Sequence, residues 1–148
     1  MIALDTNILV HAHRIGTDRH REALSLLRSL STGTAPYALF WPSLYEFLRV
    51  VTHRRVFDPP STVEEALEAV SDLLAPPVVR VLMETERHAL TLDRVLRESR
   101  VTGNLVHDAH LVALAIEHGV DEILTLDADF EQFRQVASRN PFASRIVR

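Results

Sequence analysis

Asp5, Glu46, Asp108 and Asp127, with Asp129 two residues further on, are the side chains best suited to chemistry in this 148-residue chain. Four carboxylates brought together repel one another, and one or more is then forced to hold a proton. A hard divalent cation removes that conflict. Magnesium and manganese take oxygen ligands, usually a few carboxylates completed by water and substrate phosphate. Such a centre polarises a phosphate, lowers the pKa of a bound water and steadies the leaving oxygen, which is the chemistry of phosphodiester hydrolysis. A carboxylate not wholly engaged by metal can orient or deprotonate the attacking water. The chain contains no cysteine, so a thiolate zinc site, a disulfide scaffold and a cysteine nucleophile are excluded.

The elements that must position these acids alternate in type. Ile2 to Leu4 reads as a short buried strand ending at Asp5. Asp5-Thr6-Asn7 is followed by apolar Ile8, Leu9 and Val10, for which the pattern sets no element. A helix capped by Thr17 or Asp18 carries Ala23, Leu24, Leu26, Leu27 and Leu30. Tyr37 to Trp41 reads as a second strand, with its aromatics assigned to the core. Pro42 and Ser43 open a helix that holds Glu46 in its first turn. A helix starts at Ser61, Val78 to Leu82 is a third strand, and Thr85 to about Arg100 is helical. Asp108 lies in the first turn of an apolar helix from Leu105 to His118, which Gly119 stops. Glu122 to Leu126 is a fourth strand, Asp127 adjoins its end, and Arg145 to Val147 is read as a last edge strand.

This alternation predicts an α/β fold with a mainly parallel sheet of four to five strands, in one domain over residues 1–148. Ligands of such sheets bind beyond the carboxyl ends of the strands. Strand ends and the starts of the following helices share that edge, so acids distant in sequence converge there. Each acid also has a structural reading. Asp5 fits a polar turn or cap. Ser43 and Glu46 fit a capping box, as do Ser61 and Glu64. Asp108 suits a helix dipole, and Asp127-Ala128-Asp129 suits a turn. Their common edge favours the functional reading. His107 and His110 flank Asp108, but without a third histidine at clear spacing the sequence gives little ground for zinc. His11 and His13 read as surface or RNA-facing groups.

The net charge is -4, unusual for a nucleic-acid binder, yet all 16 cationic residues are arginine and they occur in groups. Arginine grips phosphate through a planar fork of donors. Arg49, Arg54 and Arg55 follow Glu46 on its helix and are the candidates for RNA contact. The N-terminus carries no secretory pattern and no apolar run spans a bilayer, so a cytoplasmic protein without membrane contact is expected.

Four segments, in order, resemble the PIN-domain ribonucleases, above all the VapC-type toxins of toxin–antitoxin pairs. They are Ile2-Ala3-Leu4-Asp5-Thr6-Asn7, Pro42-Ser43-Leu44-Tyr45-Glu46-Phe47, Gly103-Asn104-Leu105-Val106-His107-Asp108-Ala109-His110 and Leu124-Thr125-Leu126-Asp127-Ala128-Asp129-Phe130. The resemblance covers nearly the whole chain. It implies a PIN-like α/β/α sandwich and Mg2+- or Mn2+-dependent cleavage of RNA. It places Asp5, Glu46, Asp108 and Asp127 in an acidic quartet, with Asp5 and Asp108 foremost as metal ligands and Thr6, Asn7 and Asp129 in support. It further implies a homodimer and a small cognate antitoxin. The other readings are a housekeeping PIN nuclease of RNA processing and a PIN-like module that binds RNA or protein without cutting. Four mutually repelling acids argue against a pure binder. An aspartyl-phosphate phosphatase would want an aspartate at position 7, where Asn7 stands.

Overall fold

The computed structural model describes residues 1–143, so the strand read at Arg145 to Val147 lies outside the described residues. Five short strands make one all-parallel sheet: β1 (Ile2–Leu4), β2 (Tyr37–Phe40), β3 (Val79–Leu82), β4 (Glu122–Leu124) and β5 (Ala137–Arg139). Their spatial order is β3-β2-β1-β4-β5. The chain therefore builds outward from β1 in one direction, then returns to its other side, and the direction reverses between β1 and β4. At such a switch point the connections diverge to opposite faces and open a crevice beyond the strand ends. The register pairs Leu4 with Leu39 and with Leu124, so β1 and β4 end level and β2 runs one residue further, to Phe40.

The two faces of the sheet are covered by different helices. Leu4, Leu39 and Leu124 point to one side, where they pack with α1 (Thr6–His13), α2 (His20–Thr32), α3 (Trp41–Val51) and α4 (Val63–Leu74). Ala3, Ala38, Phe40 and Ile123 point to the other, against α5 (His88–Ser99) and α6 (Leu105–Glu117). This is the period-two alternation of strand side chains applied to a sheet buried on both faces. Five consecutive buried residues, Leu111 to Ala115, make α6 the most enclosed helix described. Gly119, at φ 65, closes α6 as expected, whereas α5 ends on Arg100 in the same left-handed region at φ 54.

Several boundaries differ from the sequence reading. Helix α2 begins at His20 after Arg19, with no side-chain cap; the Thr17 hydroxyl instead donates to the Arg14 carbonyl at 2.9 Å. The capping box of α4 is Thr62 with Glu65, one residue beyond Ser61 and Glu64, and both of its reciprocal hydrogen bonds are present. Helix α3 begins at Trp41 directly from β2, so Glu46 falls in its second turn. Ser43 is buried with an unpartnered hydroxyl, so there is no capping box with Glu46. Strand β4 stops at Leu124, leaving Thr125 and Leu126 as an extended step before Asp127.

Candidate active site

Asp5 follows the last residue of β1 and is the N-cap of α1. Its Oδ1 accepts from the Thr6 backbone N–H at 2.7 Å. The other oxygen does different work. Oδ2 accepts from the Thr125 hydroxyl at 2.7 Å and from the Asn7 side-chain amide at 2.9 Å. Thr125 in turn accepts from Asn7 Nδ2 at 3.2 Å and from the Asp127 N–H at 3.0 Å, while Asn7 Oδ1 accepts from the Leu126 N–H at 3.2 Å. The β1 and β4 ends are thus laced together across the switch point by polar groups whose hydrogen bonds are met within the lacing. Asp5 is 7% exposed. Burial raises its carboxyl above the ordinary 3.8, the donated bonds from Thr125 and Thr6 oppose that rise, and nearby Asp127 adds to it.

Asp108 enters from the first turn of α6 and is partly exposed. Its carboxyl is pushed up to about 7, first by burial and then by the charges of Asp5, Asp127 and Asp129. Asp127 lies past β4 and caps the short 3-10 turn Ala128–Gln132 by accepting from the Asp129 N–H at 2.9 Å. Glu46 arrives from α3. Arg49, one helical turn on, donates to both its oxygens at 2.9 and 2.5 Å and holds it below the usual carboxylate range. The four acids line a single cavity of about 910 Å³ with Asn7 and Arg49. Asp129 is exposed and is felt at Asp108 only through its charge. Among the described residues, Asp5, Asp108 and Asp127 have no arginine or histidine within ion-pair distance.

The structure therefore brings together Asp5, Glu46, Asp108 and Asp127, with Thr6 and Asn7 beside them. Of the arginines, Arg49 lines the cavity, whereas Arg54 and Arg55 are exposed in the turn after α3 and do not. Trp41 corrects its core assignment. As the first residue of α3 it sits on the functional edge, 38% exposed, its ring edge-on to that of Tyr45 at 5.6 Å. His11 also lines the cavity; His13 instead bonds Ser61 at 2.9 Å and packs on Phe47. Thr125 was invisible in the sequence, because one threonine in an apolar run reads as an ordinary strand residue. Its position two residues before Asp127 was the available signal.

A donor set of carboxylate oxygens with one amide fits a hard divalent cation, and the raised carboxyls of Asp5 and Asp108, each lifted first by burial and then by neighbouring acids, are the strain such a cation relieves. The profile of the PIN domain matches residues 2–136. The chain is 37% identical over 141 residues to the VapC ribonuclease Mb2897 of Mycobacterium bovis, covering 95% of each. It is 35% identical over 139 residues to ribonuclease VapC48 of Mycobacterium tuberculosis, covering 94% of this chain and 96% of that one. Among solved structures it resembles the sarcin-ricin loop cleaving toxin VapC20 of Mycobacterium tuberculosis, with TM-score 0.66, 20% identity and coverage of 92% and 98%. It also resembles VapBC2 from Rickettsia felis bound to a promoter DNA fragment, with TM-score 0.66, 18% identity and coverage of 94% and 98%.

Proposed function

The chain belongs to the PIN-domain family as a ribonuclease of the VapC kind, and we propose that it hydrolyses RNA phosphodiester bonds with a divalent cation, Mg2+ or Mn2+, held by its acidic quartet. The observation that carries this reading is the pair Asp5 and Asp108, two acids of one cavity that burial and neighbouring charge keep above their ordinary pKa with no protein cation beside them. Asp5 and Asp108 would hold the cation directly, with Asp127 completing the oxygen set from the opposite side of the switch point. When bound, the cation supplies charge neutralisation at the phosphate and a more acidic water.

The chain's own groups account for the rest. Thr125 and Asn7 fix the Asp5 carboxylate so that it needs no reorganisation on binding. Glu46, kept ionised by Arg49, would accept a proton from the attacking water. Arg49 offers its fork to a phosphate when it turns from Glu46. Arg54 and Arg55, exposed in the turn after α3, would meet phosphates only outside the cavity.

The toxin role and a cognate antitoxin are supported by relatives named as VapC ribonucleases and by neighbours solved as VapBC complexes. A homodimer is proposed on the family resemblance alone, and light scattering of the purified chain measures it. Among the described residues no helix is long and apolar enough to cross a membrane. Cleavage of total RNA by the purified chain tests the main reading. It is expected with Mg2+ or Mn2+ and should vanish with EDTA and in Asp5→Asn. Undiminished cleavage in EDTA, with Asp5→Asn run as the control for contaminating nuclease, overturns it.

A further inference from the structure

Where Glu84 and His110 line the cavity, a second group of ligating side chains converges from three parts of the chain. Glu84 follows β3, His88 opens α5 and His110 lies on α6. One ligand atom from each lies within 4.8 Å of the others. The His88 and His110 rings meet edge to face with centroids 4.9 Å apart, and His110 Nε2 is 2.7 Å from Glu84 Oε1. Behind them stands Glu117, two turns along α6 from His110, with its side chain 2% exposed. Its Oε2 accepts from His88 Nδ1 at 2.7 Å, and its Oε1 accepts from the Thr85 hydroxyl at 2.5 Å and the Thr85 N–H at 3.2 Å. Burial alone would raise the Glu117 carboxyl. The bonds from His88 and Thr85 outweigh that, so it stays ionised.

We propose that Glu84, His88 and His110 form a second metal site, separate from the acidic quartet, that takes a borderline transition cation of the zinc class. Its donors are two imidazoles and one carboxylate, a set that prefers Zn2+, Co2+ or Ni2+ to magnesium. Glu117 supplies the outer-shell carboxylate that such histidines need. With Nδ1 donating to Glu117, the free lone pair of His88 is on Nε2, and the ring is held in place. Tetrahedral bonds of about 2.0–2.1 Å put ligand atoms roughly 3.3 Å apart. The three side chains reach that spacing by small rotations, the cation replacing the proton now shared by His110 and Glu84. The sequence lacked a third histidine near His107 and His110. His88 supplies it from a neighbouring helix, while His107 stays outside the cluster. A cation here pins the segment from Glu84 to His88 onto α6, the helix that carries Asp108, and so clamps one wall of the cavity. The inference stands independently of the nuclease reading.

Cobalt reports on it directly. In the full chain carrying Asp5→Asn and Asp127→Asn, which disables the acidic quartet, Co2+ should bind with one equivalent and the visible absorption of nitrogen-ligated cobalt, and Zn2+ should displace it. His88→Ala and His110→Gln, each in that background, should each weaken binding at least tenfold. Glu117→Gln should weaken it about 10- to 100-fold, as loss of an outer-shell partner does. Zinc should raise the melting temperature of the parent but not of His88→Ala, with circular dichroism showing that the variants are folded. A parent that takes up no cobalt, or a cobalt spectrum that survives both histidine substitutions, overturns the proposal.

Discussion

Asp108→Asn should make the metal-free protein more stable while removing its activity. The carboxyl of Asp108 lies at about 7 in the folded chain against 3.8 when unperturbed. A raised carboxyl favours the fold while protonated, so that contribution is complete below 3.8 and is lost as pH rises from 3.8 to about 7. At about 1.4 kcal/mol per pH unit the full effect is about 4 kcal/mol. The side chain is half open to water, and screening reduces this to about 1–2 kcal/mol. Asparagine gives up the favourable interaction of a negative charge with the first turn of α6, about 0.3–1 kcal/mol. Relief of repulsion wins, by about 1 kcal/mol. In a domain of this size that is roughly 2–4 °C. Differential scanning calorimetry in EDTA at pH 8 should show the variant melting higher, and the gap should close by pH 4. Added Mg2+ should stabilise the wild type by about 1.4 kcal/mol at tenfold excess over its dissociation constant and leave the variant nearly unmoved. A variant that melts no higher than wild type at pH 8, or that keeps the wild-type decline with pH, would refute the claim that Asp108 is held under electrostatic strain.

Glu46→Gln should fold with an unchanged melting temperature and lose most RNA cleavage, because its exposed pair with Arg49 contributes little to stability; full activity in a cleavage assay would remove Glu46 from the chemistry. Asp127→Asn should lower cleavage more than Asp129→Asn, since only Asp127 lines the cavity; the opposite order in rate measurements would mean that the 3-10 turn presents its acids differently. Thr125→Val should cost about 1–3 kcal/mol in urea unfolding, by orphaning the Asp127 N–H and one bond to buried Asp5, and Thr125→Ser should recover most of it. Arg49→Ala in the Asp5→Asn background should weaken RNA binding across many sequences and flatten its dependence on salt; an unaltered salt slope in filter binding would place the basic surface elsewhere.

What could be read beforehand followed the strength of the local signals. The alternation of apolar runs with helical periods located β1, β2, β3 and β4, and it put Asp5 and Asp108 on one edge. Helix α1 carried no such signal: Asp5-Thr6-Asn7 has turn chemistry, yet Asp5 caps a helix there whose Ile8, Leu9 and Ala12 are buried. Strand β5, Ala-Ser-Arg, has no apolar pattern, and it exists because β4 offers it a parallel edge. Trp41 and Glu46 were misplaced together by one cause. The chain passes from β2 into α3 without a turn, so a residue read as strand became the first of the helix and Glu46 moved one turn inward. The Glu84, His88 and His110 cluster lay beyond any spacing rule, because three separate elements supply it.

The competing structural readings of the acids turn out not to exclude the functional one. Asp5 does cap α1, but with Oδ1 alone, and Oδ2 is held by Asn7 of α1 and by Thr125 on the other side of the switch point. Asp127 likewise caps a 3-10 turn with Oδ1 and still lines the cavity. A cap fixes a carboxylate at a helix N-terminus, and in a parallel sheet that terminus lies on the edge where ligands bind. Capping is therefore how two of the acids are positioned, Asp5 buried beneath the cavity and Asp127 exposed at its edge. Glu46 is held by a different device. It lies a turn inside its helix and is restrained only by exposed Arg49, so it is freer to move during a reaction than Asp5, which is buried and held at both oxygens. That ordering agrees with a fixed metal ligand at Asp5 and a proton-accepting group at Glu46.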